Sequence, residues 1–182
     1  MLKLFLTNVV LETTDSDKHW YVVLTRTNSE RKVRDYFQLQ EVDTFLPVQN
    51  SVIEREGKRI ERERLLLPRM VFVHISRQEM AAVRSTLNVY DFLRDRSTGA
   101  PTCIPDAQMA DFRYMLDYSQ DQVILTGESI PKGTRVVVAK GDLQGLRGEL
   151  VRYNNKYHIL VRIDMFGSAM VTIPASYVRK EK

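Results

Sequence analysis

The residue types that most often carry chemistry are sparse and scattered in this chain. Its three histidines, His19, His74 and His158, fall in separate strand-like runs, and no two have the i, i+4 spacing that brings imidazoles to one helix face around a metal. Cys103 lies between Pro101 and Pro105 with no base placed to activate it, and one thiol can neither close an internal disulfide nor furnish a zinc site. Neither a G-x-x-x-x-G-K-[ST] phosphate loop nor a G-x-S-x-G elbow occurs. The expectation is a protein that is not an enzyme and uses no cofactor and no metal.

Binding chemistry is what remains. Arg26, Arg31, Lys32 and Arg34 gather around the start of an expected helix, where such charge could displace counterions from nucleic-acid phosphates whatever the sequence. A solvated helix face is the plain alternative for all but Arg26. The stretch KGDLQGLRGELV, residues 140–151, spends glycines at 141, 145 and 148 between two strand-like runs. Glycine tolerates a positive φ and a close backbone approach, so the loop can double back with Leu143 and Leu146 at its tip, free for a partner unless one of them caps the core.

The elements that must position these residues follow from pattern. HWYVVLT, residues 19–25, reads as a central strand, and Val33, Tyr36 and Phe37 recur at helical spacing over residues 29–40 after the capping candidates Asn28 and Ser29. Strands are expected over 42–48, over 65–75 across Pro68, and over 88–95, with a short helix opening at Ser76 and another after Pro105 carrying Met109, Phe112, Met115 and Leu116 on one side. The charged stretch 51–64, five basic and four acidic residues, is expected as an exposed hairpin or loop. Residues 119–133 show no periodic segment longer than VIL, and short strands with turn signals fill the rest, with Asn154-Asn155 and Phe166-Gly167-Ser168 as turns. The fold class is therefore α+β. An amino-terminal, mostly antiparallel sheet flanked by helices over 19–118 follows an extension over 1–18, and a linker over 119–130 leads to a small all-β barrel over 131–182.

With 43% hydrophobic and 27% charged residues the chain can bury a core. No run approaches the length of a membrane span. A net charge of +4 permits nucleic-acid contact without requiring it. Its one cysteine fits a reducing, cytoplasmic setting.

VVVAKGDLQGLRGELV resembles a KOW motif, and WYVVLTR, LPRMVFV and VYDFLR resemble successive blocks of the NusG amino-terminal domain, so that with MFGSAMVTI the resemblance spans nearly everything from His19 to Lys180. It implies a bacterial transcription elongation factor, cytoplasmic and monomeric, with no membrane partner. In such a factor the amino-terminal domain binds the clamp helices of the largest RNA polymerase subunit through an apolar hollow and lies near the non-template DNA strand, while an SH3-like KOW barrel recruits ribosomal protein S10 or Rho. The family's Phe-Pro-x-Tyr block falls on Leu67, Pro68, Arg69 and Met70, which keeps apolar character and loses the aromatics, and Phe92 resembles another wall of the hollow. Phe72 and Phe92 also read simply as core. Leu143 and Leu146 stand where the KOW loop usually has phenylalanines, and Phe166 matches the aromatic before the later glycine. Arg26 matches a basic position of specialised members.

These departures and the amino-terminal extension favour a specialised antiterminator of the RfaH or polysaccharide-operon kind. The other reading is an RNA-binding or ribosome-associated KOW protein, which has no need of the WYVVLTR to LPRMVFV block. The β-branched runs TRVVVA and YHILVRI predict a barrel that stays β rather than refolding as a helical hairpin.

Overall fold

The computed structural model describes residues 18–55 and 57–181, and the expected extension lies outside them but for Lys18. β1 (His19–Thr25) is the central strand that its composition predicts. Its side chains alternate, Trp20 and Val22 entering one buried cluster and Tyr21 and Val23 another, so both faces of the sheet are covered. β5 (Met70–Ile75) runs antiparallel beside it with Val22 opposite Phe72, and β2 (Asp43–Phe45) lies outside β5. On the other side β1 pairs with β6 (Val89–Phe92) and, near its start, with β7 (Cys103–Ile104).

One face is covered by α1 (Glu30–Leu39) through Val33 and Phe37, and by α2 (Met80–Arg84) through Val83. Ser29 occupies the cap position of α1 without a side-chain cap bond. The helix expected to open at Ser76 is shorter than its pattern suggests, because the Glu79 carboxylate accepts both the Ser76 N–H at 2.7 Å and its hydroxyl at 2.8 Å and holds the first residues as a turn. α3 (Asp106–Tyr118) covers the other face, burying Met109, Phe112, Met115 and Leu116.

Two strand expectations divide at prolines. The 42–48 run is β2, then Pro47, then the start of β3 (Val48–Arg55), since proline has no N–H for the ladder. The 65–75 run is the end of β4 (Lys58–Leu65) and the start of β5, with 66–69 as the connection between them. β3 and β4 pair through the charged stretch as a two-stranded hairpin turning at Gly57.

The second sheet contains the remaining strands, β8 (Ile124–Thr126), β9 (Thr134–Val138), β10 (Arg147–Tyr153), β11 (Lys156–Ile163), β12 (Gly167–Thr172) and β13 (Val178–Lys180), in the order β13-β9-β10-β11-β12-β8. All its pairings are antiparallel. The expected linker thus contributes a strand of its own, β8. Residues 130–133 lie against the sheet where Arg162 bonds the Glu149 carboxylate at 2.7 and 2.8 Å and the Ile130 carbonyl at 3.1 Å, and Glu149 accepts the Gly133 N–H at 2.8 Å. No helix among the described residues is long and apolar enough to cross a membrane.

The three glycines of the 140–151 stretch do two jobs. Gly141 and Gly145 have φ of +84° and +97° and turn the loop, whereas a Cβ on Gly148 would lie 2.7 Å from the Leu160 carbonyl oxygen and 2.9 Å from Ile159 Cγ1. Because that obstacle includes backbone, Gly148→Ala should destabilise the chain by about 1–3 kcal/mol. The check is thermal unfolding, and a variant as stable as the parent would show that β10 and β11 can separate at little cost.

Candidate functional site

The connection from β4 to β5 frames an apolar hollow. Leu66, Leu67 and Met70 are half-buried and pack against the cluster on the α3 face of the sheet. Phe72 forms its floor, fully buried, with ring centroids 6.0 Å from Phe45 and 6.2 Å from Phe112, which lie 5.7 Å from each other. Alternation along β5 produces this arrangement, because Met70 and Phe72 share one face while Val71 and Val73 take the other.

The hollow is covered by the chain's own β domain. Phe166, at the turn between β11 and β12, brings its ring 5.5 Å from that of Phe72. At the same boundary the Asp164 N–H donates to Gln108 Oε1 at 2.9 Å, and the Tyr114 hydroxyl donates to the Gln144 carbonyl at 2.9 Å. Phe72, Phe112 and Met115 belong to one buried cluster with Leu146, Ile159 and Ile163 of the β domain.

Leu143 and Leu146 are therefore not exposed at a loop tip, being 8% and 2% accessible. The loop curls back on itself: the Gly145 N–H donates to the Val138 carbonyl and the Val138 N–H to the Leu146 carbonyl, both at 2.9 Å. That turn directs both leucines into apolar surroundings, where burial of each is favourable by about 1.5–3 kcal/mol.

Phe92 is not a wall of the hollow. It is 3% exposed in the cluster on the α1 and α2 face, edge-on to Tyr21. Its neighbour Leu93, just past the end of β6, packs against the other cluster, its N–H donating to the Val22 carbonyl at 2.8 Å. Pro68 and Arg69 are exposed at the rim beside Leu67 and Met70.

The basic residues divide by partner. Arg31 holds the Glu63 carboxylate of β4 through Nε at 3.0 Å and Nη2 at 2.6 Å, and Arg34 pairs with Asp35 at 2.8 Å. Arg26 and Lys32 are exposed, with no ion pair to another described residue. Arg26 sits just beyond β1, its N–H bonded to the Asn88 carbonyl. No group of three or more histidine, cysteine, aspartate or glutamate side chains suited to a metal occurs among the described residues.

A family model described as transcription termination factor NusG matches residues 18–113, just over half of the chain. The chain belongs to the NusG family. The NusG match ends inside α3, so the β domain lies beyond it. Among solved structures, one of domain interaction in Thermotoga maritima NusG is similar at 19% identity over 92% of this chain and 99% of its own, with a TM-score of 0.49. Conformations A and B of the MjSpt4:Spt5 complex align at 14% and 15% identity, over 90% and 88% of this chain and 98% and 95% of theirs, with TM-scores of 0.30 and 0.31. No curated protein matches the chain by sequence.

No sequence motif marks Phe45, Leu66 and Phe112 as parts of the hollow's surroundings, or Gln108, Asp111 and Tyr114 as the helix side that meets the β domain. The run of three leucines before Pro68 was the available signal for Leu66. Asp111 carries a consequence for pH. Burial raises its carboxyl above the usual aspartate range, against the pull of Arg147 and with the added push of Glu181, both of the β domain. A carboxyl of raised pKa binds its proton more readily when docked, so docking should strengthen as pH falls from neutral through that range and weaken as pH rises through it. Hydrogen exchange of α3 amides at several pH values should report this, with Asp111→Asn more protected at neutral pH and less sensitive to pH. Equal pH dependence in parent and variant would remove Asp111 from the docking contact.

Proposed function

We propose that this NusG-family chain is a transcription elongation factor that binds RNA polymerase through the hollow bounded by Leu67, Met70 and Phe72. The observation that carries the reading is an apolar surface at Phe72, with Pro68 and Arg69 exposed beside it, that the β domain meets through Phe166. Were the β domain to leave, this surface would be an exposed apolar patch of the kind that marks partner-binding sites. The partner surface is the paired clamp helices of the largest subunit. Methionine and leucine adapt to an irregular helical groove, in place of the aromatics of the family pattern.

The β domain is a KOW domain with two positions. Docked, it covers the hollow and half-buries Phe166; released, it exposes Phe166 fully and frees the surface that α3 had occupied for a further partner such as ribosomal protein S10 or Rho. Arg26 and Lys32, without internal ion pairs, are the cations available to the non-template strand, while Arg31 must first leave Glu63. The protein acts by binding, not catalysis, in the bacterial cytoplasm. Its departures from the aromatic pattern support a specialised role in antitermination of long operons such as surface-polysaccharide loci.

The test is binding of the full chain to a reconstituted elongation complex at two salt concentrations. Met70→Asp should weaken binding by roughly 2 kcal/mol or more, since a charge enters an apolar contact. Phe166→Ala should bind several-fold more tightly, because less of the chain is held in the covered form. Failure of the parent to bind the complex while it binds free RNA would replace this reading with the RNA-binding one.

A further inference from the structure

We propose that Arg69 is a specificity-determining residue of the polymerase contact, a cation held at the rim of the hollow to pair with a carboxylate on the partner's helices. The inference rests on the polymerase reading above. Arg69 has φ of +65°, a region where glycine is at ease and a residue with a Cβ is strained. Its backbone is fastened on both sides: the Thr25 N–H donates to its carbonyl at 2.8 Å, and its own N–H donates to Glu30 Oε1 at 2.8 Å. Glu30 is 3% exposed at the first turn of α1, so the residue that holds the rim in place is itself part of the buried framework.

The Arg69 side chain contributes little to this arrangement. Its one polar contact is a long Nε–H bond to the Thr25 carbonyl at 3.3 Å, and no carboxylate pairs with it among the described residues. A glycine or an asparagine would meet the same backbone requirement with less strain. What arginine adds is an exposed guanidinium whose Nη edge is open to a planar, bidentate acceptor. Strained residues that the fold does not itself need are commonly functional.

Position identifies the acceptor. Arg69 stands between Pro68 and Met70, so a ligand that reaches it along the rim also covers apolar side chains. A helix with an apolar stripe edged by carboxylates gains from both, whereas a phosphate backbone gains only from the cation. Pro68 and Arg69 stay exposed while Phe166 covers Phe72, so the cation is available for first encounter before the hollow is vacated. A rim cation of this kind governs association rate and partner choice.

The experiment compares the full chain with Arg69→Asn and Arg69→Gly in thermal unfolding, and in binding to a reconstituted elongation complex and to DNA-free polymerase at two salt concentrations. Arg69→Asn should unfold at or above the parent's temperature, yet bind both forms of polymerase about tenfold more weakly, mainly through slower association, with a shallower salt dependence. Arg69→Gly should show the same loss. If the parent binds and both variants match it in affinity and salt slope, Arg69 has no part in recognition and the polymerase reading survives. A loss seen only when DNA is present assigns the cation to phosphate and overturns the proposal, as does a clear fall in unfolding temperature for both variants. If the parent itself fails to bind polymerase, the underlying reading fails first.

Discussion

The contact of Phe166 with Phe72 is the interaction on which the two halves of this chain depend. Phe72 is fully buried, yet its surroundings come from three separate parts of the chain: Phe45 on the neighbouring strand, Phe112 on α3, and Phe166 on the β domain. Without the last of these the sheet would present an apolar hollow to water. Such a surface is stable only when covered, and aromatic packing of this kind adds about 0.5–1.5 kcal/mol per pair beyond simple burial. The cover also includes Leu146, Ile159 and Ile163 in the same buried cluster, so only a partner with a comparable apolar face can displace it.

The hydrogen bonds around it are consistent with a reversible contact. Across the boundary with α3 run single bonds from Tyr114 to the Gln144 carbonyl and from the Asp164 N–H to Gln108, together with an aspartate whose burial costs energy. The connection between the halves is short and held. Gln49 of β3 donates to the Asp121 carbonyl at 3.0 Å and accepts from the Val123 N–H at 3.0 Å, and β8 follows at once in the second sheet. Any release of the β domain must therefore swing about residues 119–123 and part the Gln49 side chain from them. The apolar cluster shared by the two halves opposes that release, so a partner must offer comparable apolar burial to bring it about.

The fold was legible where one local rule decided it. Alternation of Trp20, Tyr21, Val22 and Val23 identifies a strand covered on both faces, and the spacing of Met109, Phe112, Met115 and Leu116 identifies α3. Asn154-Asn155 forms the expected turn with φ of 47° and 60°. The site was legible only in part. Leu67 and Met70 pack half-buried against the cluster that holds Phe72, whereas Phe92 lies in the cluster on the other face, because a strand's parity is set by its register, which no short motif reveals. Leu143 and Leu146 read as exposed because a loop's sequence does not say which way it curls. Docking of the β domain was illegible altogether: Gln108, Asp111 and Tyr114 look like an ordinary solvated helix side until a second domain lies against them. The strain at Arg69 was hidden too, because its φ accompanies tertiary bonds from the Thr25 N–H and to the Glu30 carboxylate that local sequence does not reveal.

Displacement of the β domain by polymerase is tested most directly by the distance between the two halves, read by energy transfer between one dye on the hairpin of β3 and β4 and one on the turn at Asn154-Asn155. It should be measured for the free protein and again on the elongation complex. A single short-range population is expected in the free protein and a longer, broader distribution once polymerase is bound, because Phe166 and the partner cannot both cover Phe72. An unchanged distance on a complex that demonstrably holds the protein would contradict displacement, and would mean that polymerase is engaged through some other surface.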